Sequence, residues 1–211
     1  RFEARGLVGR MFQQRGKRVP SKDYLNIGCG IIPERVPEAF YNTDHFLFGS
    51  EPWVDDCLDI RFPLPYADEE WKGLFAHHVL EHISYPHACS LLKECHRVLK
   101  PEGVLRIVVP DAEKAIKLYA SDDPEDRRYL IDSFYPGKHD TTMEVLNDVF
   151  RGRKVQQSHH FGWDFETLQL RMREAGFGEV KRMQAGESLD TVLECDNMPW
   201  AAFSLYVDAR K

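Results

Sequence analysis

The sequence predicts an α/β fold, a doubly wound layer built on a mostly parallel sheet, and three observations carry that prediction. Short apolar runs alternate with amphipathic ones. The apolar runs end in glycine, aspartate or histidine, as strands do when their carboxyl ends meet a ligand. Residues 104–109 (VLRIVV) form an unbroken β-branched run, the mark of a strand buried on both faces of a parallel sheet.

The elements follow in order. Residues 24–28 read as a short apolar strand closing on glycine, and 40–44, 53–58 and 73–79 as the second, third and fourth strands. Ser84 is placed to cap the best helix in the chain, Pro86 suits its first turn, and Ala88, Leu91, Leu92, Cys95, Val98 and Leu99 recur on one face. That helix stops before Pro101 and Gly103, and the VLRIVV strand follows, ending at Pro110 and Asp111. A helix over 112–119, short helices over 125–134 and 142–150, a helix over 165–175 closed by Gly176, and strands at 177–183 and 202–209 complete the chain.

The length of 211 residues fits one domain with a well-buried core. Its boundaries are read as a basic arm over 1–22, a single domain over 23–211, and a polar, lid-like insertion at about 121–160. The formal charge is −6, but the arm holds seven Lys or Arg against Glu3 alone, so the remainder stands at −12. An acidic body is a poor platform for phosphate backbones, and a nucleic-acid substrate is disfavoured. The arm itself has the composition of a short amphipathic helix for an anionic partner, or of a solvated terminus. No apolar run reaches the length of a membrane span, and the arm lacks the apolar centre of a secretory signal, so a soluble, cytoplasmic protein without an integral span is expected. Cys29, Cys57, Cys89, Cys95 and Cys195 are odd in number and form no C-x-x-C, which argues for free thiols. Oligomeric state is open.

The first strand runs into Asn26-Ile27-Gly28-Cys29-Gly30. Glycines there permit positive φ and the close approach of a ligand. Asp44 ends the second strand, where a carboxylate can accept bonds from both hydroxyls of a ribose. A dinucleotide fingerprint wants a small residue three on from Gly30, and that position is Pro33. The crossover from Gly30 to Phe40 is also short, with Pro33 and Pro37 inside it, so a nicotinamide cofactor is disfavoured.

YLNIGCG, NTDH, DIRFPLPYAD, HHVLEHI, RVLKPEGVLRIVVPD and DFETLQLRMREAGF, taken in order over residues 24–183, resemble the class I S-adenosylmethionine-dependent methyltransferases, especially the small single-domain type 11 group. The resemblance implies a Rossmann-like, seven-stranded sheet with an antiparallel last strand. It also implies S-adenosylmethionine as cofactor: Gly28, Cys29 and Gly30 wrapping its methionine end, Asp44 with His45 beside it holding the ribose, Asp59 and Ile60 meeting the adenine, and His77 lying near the methionine part. Asn26 stands where many members have an acid. The acceptor is expected to be a small molecule, with oxygen favoured over nitrogen and a sugar or polyhydroxylated metabolite as the expected class.

His78-Val79-Leu80-Glu81-His82 also spells H-x-x-E-H, an inverted zinc-peptidase signature. That reading needs a helix under the two histidines, whereas the stretch follows apolar Leu74-Phe75-Ala76 and precedes the helix that starts near Ser84. No metal is therefore expected, and a zinc hydrolase stands as the rival reading beside a non-catalytic cofactor-binding or interaction module. As a strand-end loop, the stretch offers His78 and His82 as candidate general bases for a hydroxyl that must lose its proton. In the resembling family a His-containing segment closes over the acceptor pocket, and His159 matches it. Asp111, ending the fifth strand, is a candidate to orient an acceptor hydroxyl or the base. Tyr129, Phe134, Tyr135, Trp163, Trp200 and Phe203 are candidates for aromatic lid walls or for plain packing.

Overall fold

The computed structural model describes residues 22–30, 40–45, 51–134, 137–152, 158–195 and 201–211. The basic arm apart from Lys22, the crossover after Gly30, Tyr135 and Trp200 lie outside the described residues.

Seven strands form one sheet: β1 (Tyr24–Ile27), β2 (Tyr41–Asp44), β3 (Asp56–Cys57), β4 (Trp71–His77), β5 (Leu99–Pro110), β6 (Glu179–Met183) and β7 (Ser204–Arg210). Their spatial order is β3-β2-β1-β4-β5-β7-β6. Only β7 runs antiparallel to its neighbours, inserted between β5 and β6. The order reverses at β1, so the carboxyl ends of β1 and β4 face the crevice where ligands of such sheets bind.

Side chains alternate across the sheet, and both faces are covered. Leu105, Ile107 and Val109 of β5 join Leu25, Ile27, Leu74 and Ala76 in a core sealed by α1 (Tyr85–Val98) and α5 (Phe165–Glu174). Val104 and Val108 point the other way, into a cluster with Phe40, Phe75 and Tyr206. Arg106 shares that second face and is fully buried against Asp208 of β7, with Nη1 to Oδ1 at 2.7 Å. A separate apolar cluster joins α2 (Ala112–Ala120), α3 (Pro124–Ser133) and α4 (Thr142–Arg151) around Phe134 and Phe203. Among the described residues, no helix is long and apolar enough to cross a membrane.

Three local expectations are corrected. The helix does end at Val98, but β5 begins at once and runs through Pro101 and Gly103. An irregularity in its pairing with β4, between Trp71 and Gly73, accommodates this stretch, where Glu102 takes a φ of +64°. Ser84 sits at the N-cap of α1, yet its hydroxyl meets Nδ1 of His87 at 2.8 Å instead of capping the helix backbone. The third strand shrinks to two residues, because Val54 bonds back to Glu51 in a turn and the parallel pairing with β2 starts only at Asp56.

Candidate active site

The turn after β1 is held by its own sheet. The amides of Gly28 and Cys29 both donate to the Thr43 carbonyl, at 2.8 and 2.9 Å, and the Gly30 amide donates to Oδ2 of Asp44 at 2.6 Å. Gly28 has a φ of +73°, and a Cβ there would lie 2.5 Å from Cγ2 of Val79, so glycine is required twice over. Gly30, at a φ of +76°, has no neighbour among the described residues within 4 Å of where a Cβ would stand. Its carbonyl accepts from the Trp53 indole at 3.1 Å. Asp44 is buried and also accepts from the His45 amide at 2.6 Å. Burial raises its carboxyl above the usual value, against the pull of those two amides. Burial and the nearby Asp44 charge push the Cys29 thiol up to about 12, so it is no nucleophile at neutral pH.

Asp59 is buried beside Ile60 and clasped by Arg61, whose Nε and Nη2 donate to Oδ1 and Oδ2 at 2.8 Å each. The Arg61 amide adds a third bond to Oδ1 at 3.2 Å, leaving Oδ2 with one uncommitted lone pair. Burial would raise its carboxyl, but the Arg61 bonds and charge win and hold it below the usual range. Asn26 lies inside the sheet, donating to Asn42 of β2 at 3.0 Å.

His77 ends β4, and its ring centroid is 4.7 Å from that of His78. His78 itself takes a φ of +54°, which ends the strand and swings its ring toward β7. There Nε2 meets Oγ of Ser204 at 3.0 Å while Nδ1 lies 3.1 Å from Oε1 of Glu81. Leu80–His82 is a single turn of 3-10 helix, too short to stack His78 and His82 as an α-helix would. His82 turns instead to His159, ring centroids 4.9 Å apart, because the His160 amide donates to the Glu81 carbonyl at 2.6 Å and draws that segment in. Glu81 is 1% exposed. Burial acts to raise its carboxyl, yet the bond from His78 and the neighbouring imidazoles outweigh it and lower the group to about 2. Burial also lowers His82 below the usual imidazole value.

Asp111 is committed elsewhere: it caps α2 through the Lys114 amide at 3.0 Å and pairs with Arg182 at 2.6 Å. Phe134, Trp163 and Phe203 are fully buried and pack, while Tyr129 is exposed.

Residues 52–107, from the approach to β3 through most of β5, match the family model of a methyltransferase domain. The matched segment is 56 of the 211 residues. The search of curated proteins gives no match. Among solved structures, an S-adenosylmethionine-dependent methyltransferase from Thermotoga maritima, described as a possible histamine N-methyltransferase, superposes with a TM-score of 0.52 at 17% identity, over 100% of this chain and 94% of the other. S-adenosylmethionine-dependent methyltransferases from Mesorhizobium loti and Archaeoglobus fulgidus give TM-scores of 0.50 at 14% and 17% identity, covering 97% and 100% of this chain and 96% and 95% of theirs. These likenesses establish the fold.

S-adenosylmethionine is the cofactor of such a methyltransferase domain, and the matched segment holds Asp59, His77, His78 and His82. The fold brings Gly28, Cys29, Gly30, Asp44 and His45 together at one strand end and gathers His78, His82 and His159 at the next. Asp111 and Asn26 are drawn into structural bonds. Sequence reasoning did not single out Trp53, Arg61 or Ser204. Arg61 stood two residues from Asp59 and was the only one of the three with a local signal.

Proposed function

We propose that this protein transfers a methyl group from S-adenosylmethionine to a hydroxyl oxygen of a small, polyhydroxylated molecule. The observation that carries the reading is the accounting of the glycine turn. All three amides are spent on Thr43 and Asp44, so the turn offers no nest of N–H groups to a phosphate. It presents a buried carboxylate instead, and the open side of Gly30, which suits a cationic amino-acid nucleoside with ribose hydroxyls to donate. Oδ2 of Asp59 keeps one lone pair for an exocyclic amine.

When bound, the cofactor supplies an electrophilic methyl carbon on a positively charged sulfur. Gly28, Cys29 and Gly30, with Asp44 and Asp59, would hold it, and keeping the acceptor oxygen in line with that methyl in a dry site would supply much of the rate. The hydroxyl proton is drawn off at the histidine cluster. His78 has both ring nitrogens engaged, by Glu81 and Ser204, and acts as a positioning residue. His82 and His159 each turn Nδ1 to a backbone carbonyl, of Ser158 at 3.4 Å and Val149 at 2.9 Å, and so present Nε2 lone pairs. The acidic body favours a small acceptor over a nucleic acid.

Calorimetry with S-adenosylmethionine and its demethylated product is the test. One equivalent of each should bind; folded protein that gives no heat at millimolar ligand overturns the reading. Labelled methyl transfer to a panel of polyols, with amines as the opposing panel, decides the acceptor atom.

A further inference from the structure

We infer that Glu81, His82 and His159 form a binding site for a divalent transition-metal ion of the zinc class. One ligand atom from each lies within 4.8 Å of the others. Proton accounting explains why they converge. The partners of both Nδ1 atoms are carbonyl oxygens, which can only accept, so each ring carries its proton on Nδ1 and leaves a lone pair on Nε2. Nε2 of His82 is then 4.0 Å from Oε1 of Glu81, one acceptor facing another.

The carboxylate is itself under-served. It is 1% exposed, and among the described residues no hydrogen-bond donor reaches its Oε2. A buried carboxylate with one oxygen left without a donor is costly, and a cation placed between it and the two imidazoles reduces the cost. Two histidines and one glutamate are the ligand set of open zinc and non-haem ferrous sites. Imidazoles steadied through Nδ1 by backbone carbonyls, and a carboxylate steadied by a further histidine, are the outer layer such ligands carry. Bond lengths of about 2.0–2.2 Å require ligand atoms that now lie within 4.8 Å of one another to draw in to about 3.4 Å.

The H-x-x-E-H reading fails in its own terms, since His78 faces Ser204, but two of its residues are recruited with His159 from 77 positions on. The ion site rests on this geometry alone. Its role rests on the methyltransferase reading: with an ion bound, the Nε2 atoms of His82 and His159 would serve as ligands in place of proton acceptors, and the ion would instead acidify the acceptor hydroxyl, whose proton would leave to solvent.

The experiment is to strip the full chain with a chelator, dialyse, and titrate with Zn²⁺ by calorimetry and with Co²⁺ by visible absorption. One equivalent should bind, with Co²⁺ ligand-field bands. His82→Ala, His159→Ala and Glu81→Gln should each weaken binding by about 100-fold, while His160→Ala, an exposed neighbour, binds as the parent does. Circular dichroism verifies each fold, and the two histidine variants decide the matter if Glu81→Gln does not fold. Absence of stoichiometric binding, or equal binding by the histidine variants, overturns the site. Calorimetry with S-adenosylhomocysteine on the same metal-free protein reads the methyltransferase proposal separately. Binding of that nucleoside without binding of metal overturns the ion alone; metal without nucleoside upholds the ion and overturns its role.

Discussion

Oδ2 of Asp44 accepts the Gly30 amide at 2.6 Å, so the residue that ends β2 also fixes the turn that ends β1. One carboxylate thereby shapes the loop and sets its charge. The side chain proposed to hold the ribose is thus also the one that fixes the backbone of the turn.

The two glycines of that turn should respond differently to a methyl group. Gly28→Ala meets Val79 and carries the positive-φ penalty, a loss of about 2–4 kcal/mol in urea unfolding. Gly30→Ala meets nothing and should lose only about 1–2 kcal/mol, yet it should abolish nucleoside binding by filling the open side. Equal stability losses would contradict the geometry.

Asp59→Ala should weaken S-adenosylhomocysteine binding by about 1–3 kcal/mol, because the exocyclic amine loses its acceptor. It should also lower stability, since the partly buried Arg61 loses its ion pair with Asp59. Calorimetry at a temperature where the variant is folded separates the two effects. Unchanged affinity removes Asp59 from the cofactor site.

Arg106 and Asp208 form a fully buried pair, and Asp208 also accepts from Ser188 and from the Leu189 amide at 2.7 Å each. Asp208→Ala should cost about 3–5 kcal/mol by stranding the guanidinium. The double variant Arg106→Met, Asp208→Leu should recover most of this and retain a deficit of about 1 kcal/mol from the 188–189 tether. Denaturant midpoints of the three proteins check the order.

Glu94 supplies a pH dependence. The hydrogen bonds from Arg97 hold its carboxyl below the usual 4.5, against burial. A carboxyl lowered by folding contributes stability that is fully present above pH 4.5 and is lost as the pH falls through the depressed value. The stability gap between the parent and Glu94→Gln should therefore be constant from pH 7 to about 5 and close below 4.5. A gap that persists at pH 3 would show that the group's charge is not what matters.

Much of this was written in local pattern. The glycine turn after β1, the strand end at Asp44 and the buried face of α1 followed from period and punctuation alone, whereas the fourth strand, expected over 73–79, ends at His77. What stayed hidden was non-local. The β5 run through Pro101 depends on a pairing irregularity with β4, which propensity does not encode. The left-handed backbone of His78 sends its ring to a serine 126 residues away, and no spacing within HHVLEHI foretells that. The histidine cluster needed the His160 to Glu81 backbone bond to bring a distant loop alongside. Asp111 stands just past a strand end as expected, and its bonds to Arg182 and to the Lys114 amide of a helix cap come from positions that no local pattern names.

The placement of β7 has a kinetic consequence. Ser204 steadies His78, and His78 in turn steadies Glu81, yet the strand that bears Ser204 is laid between β5 and β6 after nearly all the rest of this sequence has been synthesised. A nascent chain on the ribosome can pair β1, β4 and β5 early, but its histidine corner stays slack until that late strand threads home. The corner around Glu81 is thus among the last parts of this fold to be set.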